Sequence, residues 1–265
     1  MEKQPHVVLS RRALVKGLAA GSVVALAPGC TYNDEIGRSQ FLVVSRGQMA
    51  QLAGSTWASI RKEERVSRDP RYVTRLQRVS PKIISAAGEN PAAWEYAVFD
   101  SKDLNAFALP GNKIGVYTGI MDLMANDDEL ATVVGHEVAH VRFNHSGERY
   151  SQAMAGQVGL TVASVGLASS DAKYQREIAA VLGAGVTFGL ILPFSRRHEL
   201  EADKFGVRYM HRAGYDARQS LTFWQKMATK SSGQRPPEFL STHPSSETRI
   251  AQLRREISML PPKRA

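Results

Sequence analysis

The chain has 265 residues, 43% hydrophobic and 22% charged, so it can bury a core and is not an intrinsically disordered polymer. Its net charge of +9 is compatible with acidic partners or anionic lipid headgroups, or simply with a solvated basic surface. No basic run is interleaved with aromatic residues, so we expect no nucleic-acid binding. The only cysteine, Cys30, excludes an internal disulfide.

Residues 1–29 predict an export signal. The basic segment 10–16, which contains Arg11 and Arg12, precedes an uncharged stretch at 17–27. A basic start followed by an apolar run too short to span a bilayer is typical of a secretory signal. The paired arginines resemble a twin-arginine signal. We therefore expect the chain to leave the cytoplasm.

The end of this segment resembles a bacterial lipobox, in which Cys30 would carry the lipid and anchor the protein to a membrane. Ala27 stands where a lipobox usually has leucine. The polar residues 30–40 are interpreted as a tether. Because Thr31 rather than aspartate follows the cysteine, a periplasmic location on the outer membrane is favoured over one on the inner membrane. The alternatives are a cleaved signal with an incidental cysteine, or an organelle presequence.

Residues 41–265 are predicted to form a single, mainly helical α+β domain with a small β-sheet edge beside the helix that contains residues 136–140. A helical pattern breaks at Asp69-Pro70. Apolar runs and alternation predict three strands, at 94–99, 104–109 and 113–117. Two apolar runs predict a helical hairpin, with membrane contact as the alternative; they lie at 154–168 and 178–194. Further helices are predicted at 196–212, 217–230 and 245–259.

Asn126 can cap a helix that contains the motif His136-Glu137-Val138-Ala139-His140. Residues i and i+4 share one helical face, so the two imidazoles can hold one metal ion. This spacing is typical of zinc peptidases, in which the intervening glutamate serves as the general base. We therefore predict one zinc ion per chain.

A catalytic zinc needs a third protein ligand. His145 is interpreted as a neighbour of the site or a surface residue rather than a ligand. In the segment 195–203, Glu199 and Asp203 share one face of a second helix while Glu201 faces away. Glu199 is therefore predicted as the ligand in preference to Glu201. Asp203, one turn on, can accept a hydrogen bond from a ligating histidine and fix its tautomer.

Four parts of the sequence resemble the HtpX/BepA-type gluzincin metallopeptidases: the His136 motif, the segment 195–203, the segment 105–111, and the segment 242–244 with Arg249. These peptidases are related to the CAAX prenyl proteases and the mitochondrial OMA-type proteases. The resemblance implies the fold and a peptidase activity, and it also assigns Glu199 as a ligand. Among these proteins the chain is most similar to the short, periplasmic, lipid-anchored type. That relationship implies a role in protein quality control, with misfolded envelope proteins as substrates.

His243 has three interpretations. In BepA-like proteins a histidine of this segment can occupy the open zinc position and keep the enzyme latent. It could instead stabilise the oxyanion during catalysis, or serve only in packing.

The predicted reaction is hydrolysis of peptide bonds, with Glu137 as the general base. The strand residues Asn105, Ala106, Phe107 and Ala108 are predicted to pair with an extended polypeptide substrate. The alternative function is a latent or inactive zinc-containing, chaperone-like binding protein at the outer membrane.

Overall fold

The computed structural model describes residues 29–165, 193–231, 237–244 and 247–262. The predicted export signal lies outside these ranges except for Gly29, and so does most of the second predicted apolar run, at 178–194. Within the described ranges, no helix combines the length and apolar character that a membrane span requires.

The segment 30–40 is not the polar tether that its composition predicted. It forms a hairpin of two antiparallel strands, β1 (Cys30–Asn33) and β2 (Arg38–Phe41). Gln40 is only 2% exposed and donates a hydrogen bond to the backbone oxygen of Phe143. The polar side chains of this segment meet buried partners on the helical body, which composition alone does not reveal.

Two helices follow the hairpin, α1 (Arg46–Glu63) and α2 (Pro70–Ala86). A capping box starts α1, in which the Ser45 hydroxyl accepts from the backbone N–H of Gln48 and the Gln48 side chain accepts from that of Ser45. Asp69 caps α2, and Pro70 occupies its first turn. The predicted helix break at these two residues is therefore confirmed.

Three strands form a small sheet: β3 (Glu95–Phe99), β4 (Ala106–Leu109) and β5 (Lys113–Tyr117). The order is β3-β5-β4, with β3 parallel and β4 antiparallel to β5. The turn before β5 uses Gly111 and Asn112, both at positive φ. Within the described part of the chain β4 pairs with one strand alone, so it is an edge strand.

The remaining helices complete a mainly helical α+β domain, and this predicted fold class is confirmed. They are α3 (Thr118–Leu123), α4 (Asp127–Arg142), α5 (His145–Val165), α6 (Arg196–Arg212), α7 (Gln219–Ser231), α8 (Glu238–Thr242) and α9 (Glu247–Ser258). The sequence did not predict α3 or α8, because five or six residues are too few to show helical periodicity.

Helices α4 and α6 cross with their backbones in close contact at two glycines. A Cβ atom on Gly135 would lie 3.0 Å from the backbone oxygen of Gly206, and one on Gly206 would lie 3.1 Å from the backbone nitrogen of His136. Any larger residue would force the helices apart. This close crossing brings the polar face of α6 to the histidine face of α4.

Candidate metal centre

Helix α4 places three functional side chains in the interior. The Asn126 side chain caps the helix by accepting from the backbone N–H of Glu129. His136, Glu137 and His140 are each no more than 2% exposed. The predicted pair of histidines therefore lies on a buried face of the helix.

Helix α6 supplies the facing carboxylates. Ser195 caps its first turn, and Glu199 and Asp203 are 1% and 3% exposed. Glu201 points away from them and binds Arg38 and His145 instead. The structure thus places these three acids as the helical-face argument predicted.

His243 enters the same interior from the C-terminal end of α8, where it is the capping residue. Its backbone N–H donates to the Phe239 oxygen at 2.9 Å. Its ring packs on Phe239 and Phe194, with centroids 4.6 and 5.2 Å away. The short helix α8 therefore holds this imidazole in place.

Four potential ligands converge at one point: His136, His140, Glu199 and His243, with ligand atoms all within 4.8 Å of one another. The Nε2 atom of His136 lies 3.0 Å from His140 Nε2 and 3.2 Å from His243 Nδ1. The Glu199 carboxylate lies 3.4 Å from each of the first two nitrogens and 3.1 Å from the third.

These separations fit a tetrahedral zinc ion. Ligand bonds of about 2.0–2.1 Å place the corners of a tetrahedron about 3.3 Å apart. The separations of 3.0 to 3.4 Å given above, which involve both carboxylate oxygens of Glu199, lie close to that value. The two-histidine, one-glutamate set with a further histidine also matches the nitrogen and oxygen donors that zinc takes.

Hydrogen bonds direct both Nε2 atoms of the motif at this point. The Nδ1–H of His136 donates to Asp203 Oδ1 at 3.0 Å, as predicted. His140 is oriented by His145, which is fully buried, with 3.0 Å between their Nδ1 atoms. His145 in turn donates from Nε2 to Glu201 at 3.0 Å. His145 is thus a neighbour of the site and not one of the four converging groups.

The pKa values of the two motif histidines shift in opposite directions, while that of Glu199 shifts downward and keeps a negative charge at the centre. Burial lowers the pKa of His136, but Glu199 and Asp203 outweigh it and raise the value to about 9. Burial lowers the pKa of His140, so that ring is neutral. Burial would raise the pKa of Glu199, but Arg249 and the neighbouring histidines hold it well below its ordinary value. A divalent cation suits this arrangement.

Arg249, whose role the sequence did not predict, holds both α6 carboxylates. It donates to the two oxygens of Asp203 at 2.7 Å each and pairs with Glu199 Oε2 at 2.7 Å. Its guanidinium lies 3.8 Å from the ring centroid of Trp224. Arg249 therefore keeps the two carboxylates ionised and in place. Removing one partner of such a buried pair typically costs about 3–5 kcal/mol.

The predicted substrate strand borders this centre. The backbone N–H of Ala108 donates to the Glu137 carboxylate, so that edge of β4 faces the site. Asn105 uses its backbone oxygen on the other side, accepting from Tyr117. Ala106 is buried, and Phe107 packs among aromatic side chains. The Oε1 atom of Glu137 lies 3.3 Å from His243 Nε2.

The chain is similar to known metallopeptidases. The sequence profile described as peptidase family M48 matches residues 70–257. The mitochondrial metalloendopeptidase OMA1 of Schizosaccharomyces pombe is 35% identical over 69% of this chain and 55% of its own length, and that of Saccharomyces cerevisiae is 32% identical over 82% and 66%.

The beta-barrel assembly-enhancing protease of Escherichia coli is 26% identical over 94% of this chain and 52% of its own length. The chain therefore spans about half to two thirds of the length of these relatives. The resemblance to BepA-like and OMA-type proteins is confirmed.

Proposed function

The chain belongs to peptidase family M48, and from this premise we propose that it is a zinc-dependent endopeptidase of the bacterial cell envelope. The observation that carries the proposal is the convergence of His136, His140 and Glu199 beside the buried carboxylate of Glu137. In this proposal the first three residues hold one zinc ion and Glu137 is the general base.

The chemistry divides between the metal and the protein. When bound, zinc lowers the pKa of a water molecule to roughly 7 and polarises the scissile carbonyl. Glu137 accepts the proton as the water attacks and then passes it to the leaving amine. Burial raises the pKa of Glu137 above its ordinary value, which suits a group that must both take and return a proton.

The free edge of β4 is proposed to hold the substrate in an extended conformation. The residues Asn105 to Ala108 occupy this strand and its approach, and the Ala108 N–H already points at Glu137. Backbone pairing with an edge strand binds many sequences, because most of the affinity comes from main-chain hydrogen bonds. A protease of broad specificity follows, suited to misfolded polypeptides.

His243 makes the enzyme latent in this proposal. Its Nδ1 lies at the distance of a fourth ligand from His136 and Glu199, whereas a catalytic zinc keeps one position open. The same geometry favours the second candidate function, a chaperone-like zinc protein whose hydrolytic site stays closed. The two differ in whether displacement of His243 releases proteolysis.

The envelope location is proposed from Cys30 and from the similarity to the beta-barrel assembly-enhancing protease of Escherichia coli. Cys30 is exposed at the start of β1. A lipid on this residue would anchor the chain next to the docked hairpin, and the domain would lie close to the membrane surface. Outer-membrane proteins in the course of assembly are the proposed substrates.

Removal of the metal tests the core of this function. We expect a chelator to strip one zinc ion per chain and abolish casein cleavage by the His243→Ala variant, and stoichiometric Zn²⁺ to restore it. Zinc held at about a hundred times its Kd stabilises the fold by about 2.7 kcal/mol, so Tm should fall by roughly 5–10 °C on removal. Metal analysis and calorimetry measure both effects. Full cleavage by the zinc-free protein would contradict the proposal.

Lipidation is tested at Cys30. We expect the wild-type chain, expressed in a Gram-negative host, to incorporate labelled palmitate and to sediment with outer membranes. The Cys30→Ser variant should lose the label completely, since no other cysteine exists in the chain. Thr31→Asp is the matched control, which should keep the label and change only the membrane fraction. Undiminished labelling of Cys30→Ser would refute the anchor.

A further inference from the structure

A continuous chain of hydrogen bonds runs from the N-terminal hairpin to the candidate metal centre. It begins at Arg38 in β2, passes through Glu201 and His145, and ends at His140. Arg38 lies outside residues 70–257, the region that the family profile matches. This series of hydrogen bonds therefore connects a segment outside the matched domain to one of the proposed zinc ligands.

Arg38 binds two carboxylates with its full set of terminal nitrogens. Its Nε and one terminal nitrogen contact the two oxygens of Glu201 at 2.6 and 2.8 Å, and its terminal nitrogens contact those of Glu148 at 2.7 and 2.9 Å. The Arg38 side chain is 14% exposed and the two acids are 13% and 5% exposed. Two-point bonds of a guanidinium to carboxylates are strong and fix the orientation of both partners.

Glu201 fixes the tautomer of the next residue. An ionised carboxylate can only accept hydrogen bonds, so the Nε2 atom of His145 must carry the proton that it donates to Glu201. Its Nδ1 atom is then the acceptor for the Nδ1–H of His140. The remaining nitrogen of His140, Nε2, has its lone pair directed at His136, Glu199 and the proposed zinc position.

We propose that Arg38 is a positioning residue for the metal centre: by holding Glu201 against His145, it keeps His140 in the tautomer and orientation that present Nε2 to the metal. The inference rests on the proposed zinc ligands. Without Arg38, the carboxylates of Glu201 and Glu148 would face each other around an empty position and repel. Glu201 would then move away from His145.

The docking of strand β2 supports this assignment. Gln40, two residues along the same strand, donates to Glu148 at 3.0 Å and to the backbone oxygen of Phe143 at 2.7 Å. Phe143 follows the end of α4 and is 1% exposed. The strand is thus also fixed to the C-terminal end of the helix that contains His140, which holds Arg38 beside its two carboxylate partners.

The expected result is a loss of metal affinity. Partners that orient a ligating histidine typically contribute about 10–100-fold to metal affinity. We expect Arg38→Met to weaken zinc binding by about tenfold, and Glu201→Gln, one step nearer the metal, by about 10–100-fold. Competition with a chromophoric chelator measures the Kd of each purified protein. The visible spectrum of the Co²⁺-loaded protein should also change, because it reports the geometry of the ligand nitrogens.

Arg142→Met is the matched control. Arg142 also ties the hairpin to the body of the protein, pairing with Glu35 in the turn between β1 and β2 and with Glu89, at 2.8 Å each. Neither partner contacts the metal centre. This variant should lose a similar ion pair and yet keep the wild-type Kd for zinc and the wild-type Co²⁺ spectrum.

A double variant separates positioning from simple docking. If Arg38 acts through Glu201, Arg38→Met should weaken zinc binding by less than about threefold further when Glu201→Gln is already present. Should Arg38→Met fail to fold, Arg38→Lys serves instead, because lysine keeps the charge but not the two-point geometry. Equal zinc affinity in wild type and the Arg38 variants, or an equal loss in Arg142→Met, would overturn the inference. Failure of the wild type to bind zinc would overturn the proposed function instead.

Discussion

The Glu137→Gln variant is expected to lose peptide hydrolysis by about 10²- to 10⁴-fold, the usual contribution of a general base. Glutamine keeps the shape of the side chain and can still accept from the Ala108 N–H, but it cannot take the proton of the attacking water. Zinc content should stay at one ion per chain, because Glu137 is not among the four converging groups. The rate of casein cleavage and metal analysis measure the two effects.

Glu129→Gln is the control for this substitution. Glu129 lies on the same helix and is 1% exposed, but it is not part of the metal centre. Its carboxylate pairs with the Lys226 ammonium at 2.7 Å. Losing that charge should lower stability by about 1.5–3 kcal/mol without a comparable loss of activity. Because we propose that the wild-type site is latent, both variants are best compared in the His243→Ala background as well. Wild-type cleavage by Glu137→Gln in either background would refute the role of Glu137 as base.

Local signals explain why the two main site helices could be predicted from the sequence. Asn126 and Ser195 cap α4 and α6 through contacts only three residues away. The spacing of His136 and His140 within one helix requires no knowledge of the fold. Helical geometry alone likewise separates Glu199 from Glu201. Each of these inferences depends on residues within one or two helical turns of each other.

The rest of the site depends on contacts between distant segments, which single-sequence periodicity does not contain. Arg38 meets Glu148 and Glu201 across 110 and 163 residues, and its polar surroundings led to the incorrect prediction of a tether. Arg249 contacts Asp203 across 46 residues. Both arginines look like ordinary solvated charges until the fold buries their partners. The resemblance to known peptidases drew attention to Arg249 but did not assign its role.

The close approach of α4 and α6 illustrates the same limit. Gly135 lies within an otherwise regular helical pattern, where glycine usually only weakens the helix. The structure gives the reason for a glycine here: a Cβ atom on residue 135 would lie 3.0 Å from the backbone oxygen of Gly206. Glycine pairs of this kind set the distance between helices, and hence the separations among ligands on both. No pattern within either helix indicates which glycines will face each other.

The His243→Ala variant is expected to cleave casein at least about tenfold faster than wild type, a change that corresponds to about 1.4 kcal/mol. Two contacts give the reason. His243 Nδ1 lies 3.1 Å from Glu199 Oε1, where it would fill the fourth ligand position of the proposed zinc site, and its Nε2 lies 3.3 Å from Oε1 of Glu137, the proposed base. Removing the ring opens the position for water and frees the carboxylate at once. The initial rate of casein cleavage measures the change.

The competing role, stabilisation of the oxyanion, predicts the opposite sign. A group that stabilises the oxyanion must leave room for the substrate carbonyl between itself and the metal, whereas His243 Nδ1 is 3.2 Å from His136 Nε2, a proposed ligand atom. His211→Ala serves as control, since His211 lies near the C-terminal end of α6 and outside the four-residue cluster. It should leave the rate unchanged, and both variants should retain one zinc ion. A loss of activity in His243→Ala with zinc still bound would refute latency and assign His243 to catalysis, because an inhibitory ligand cannot lower the rate when it is removed.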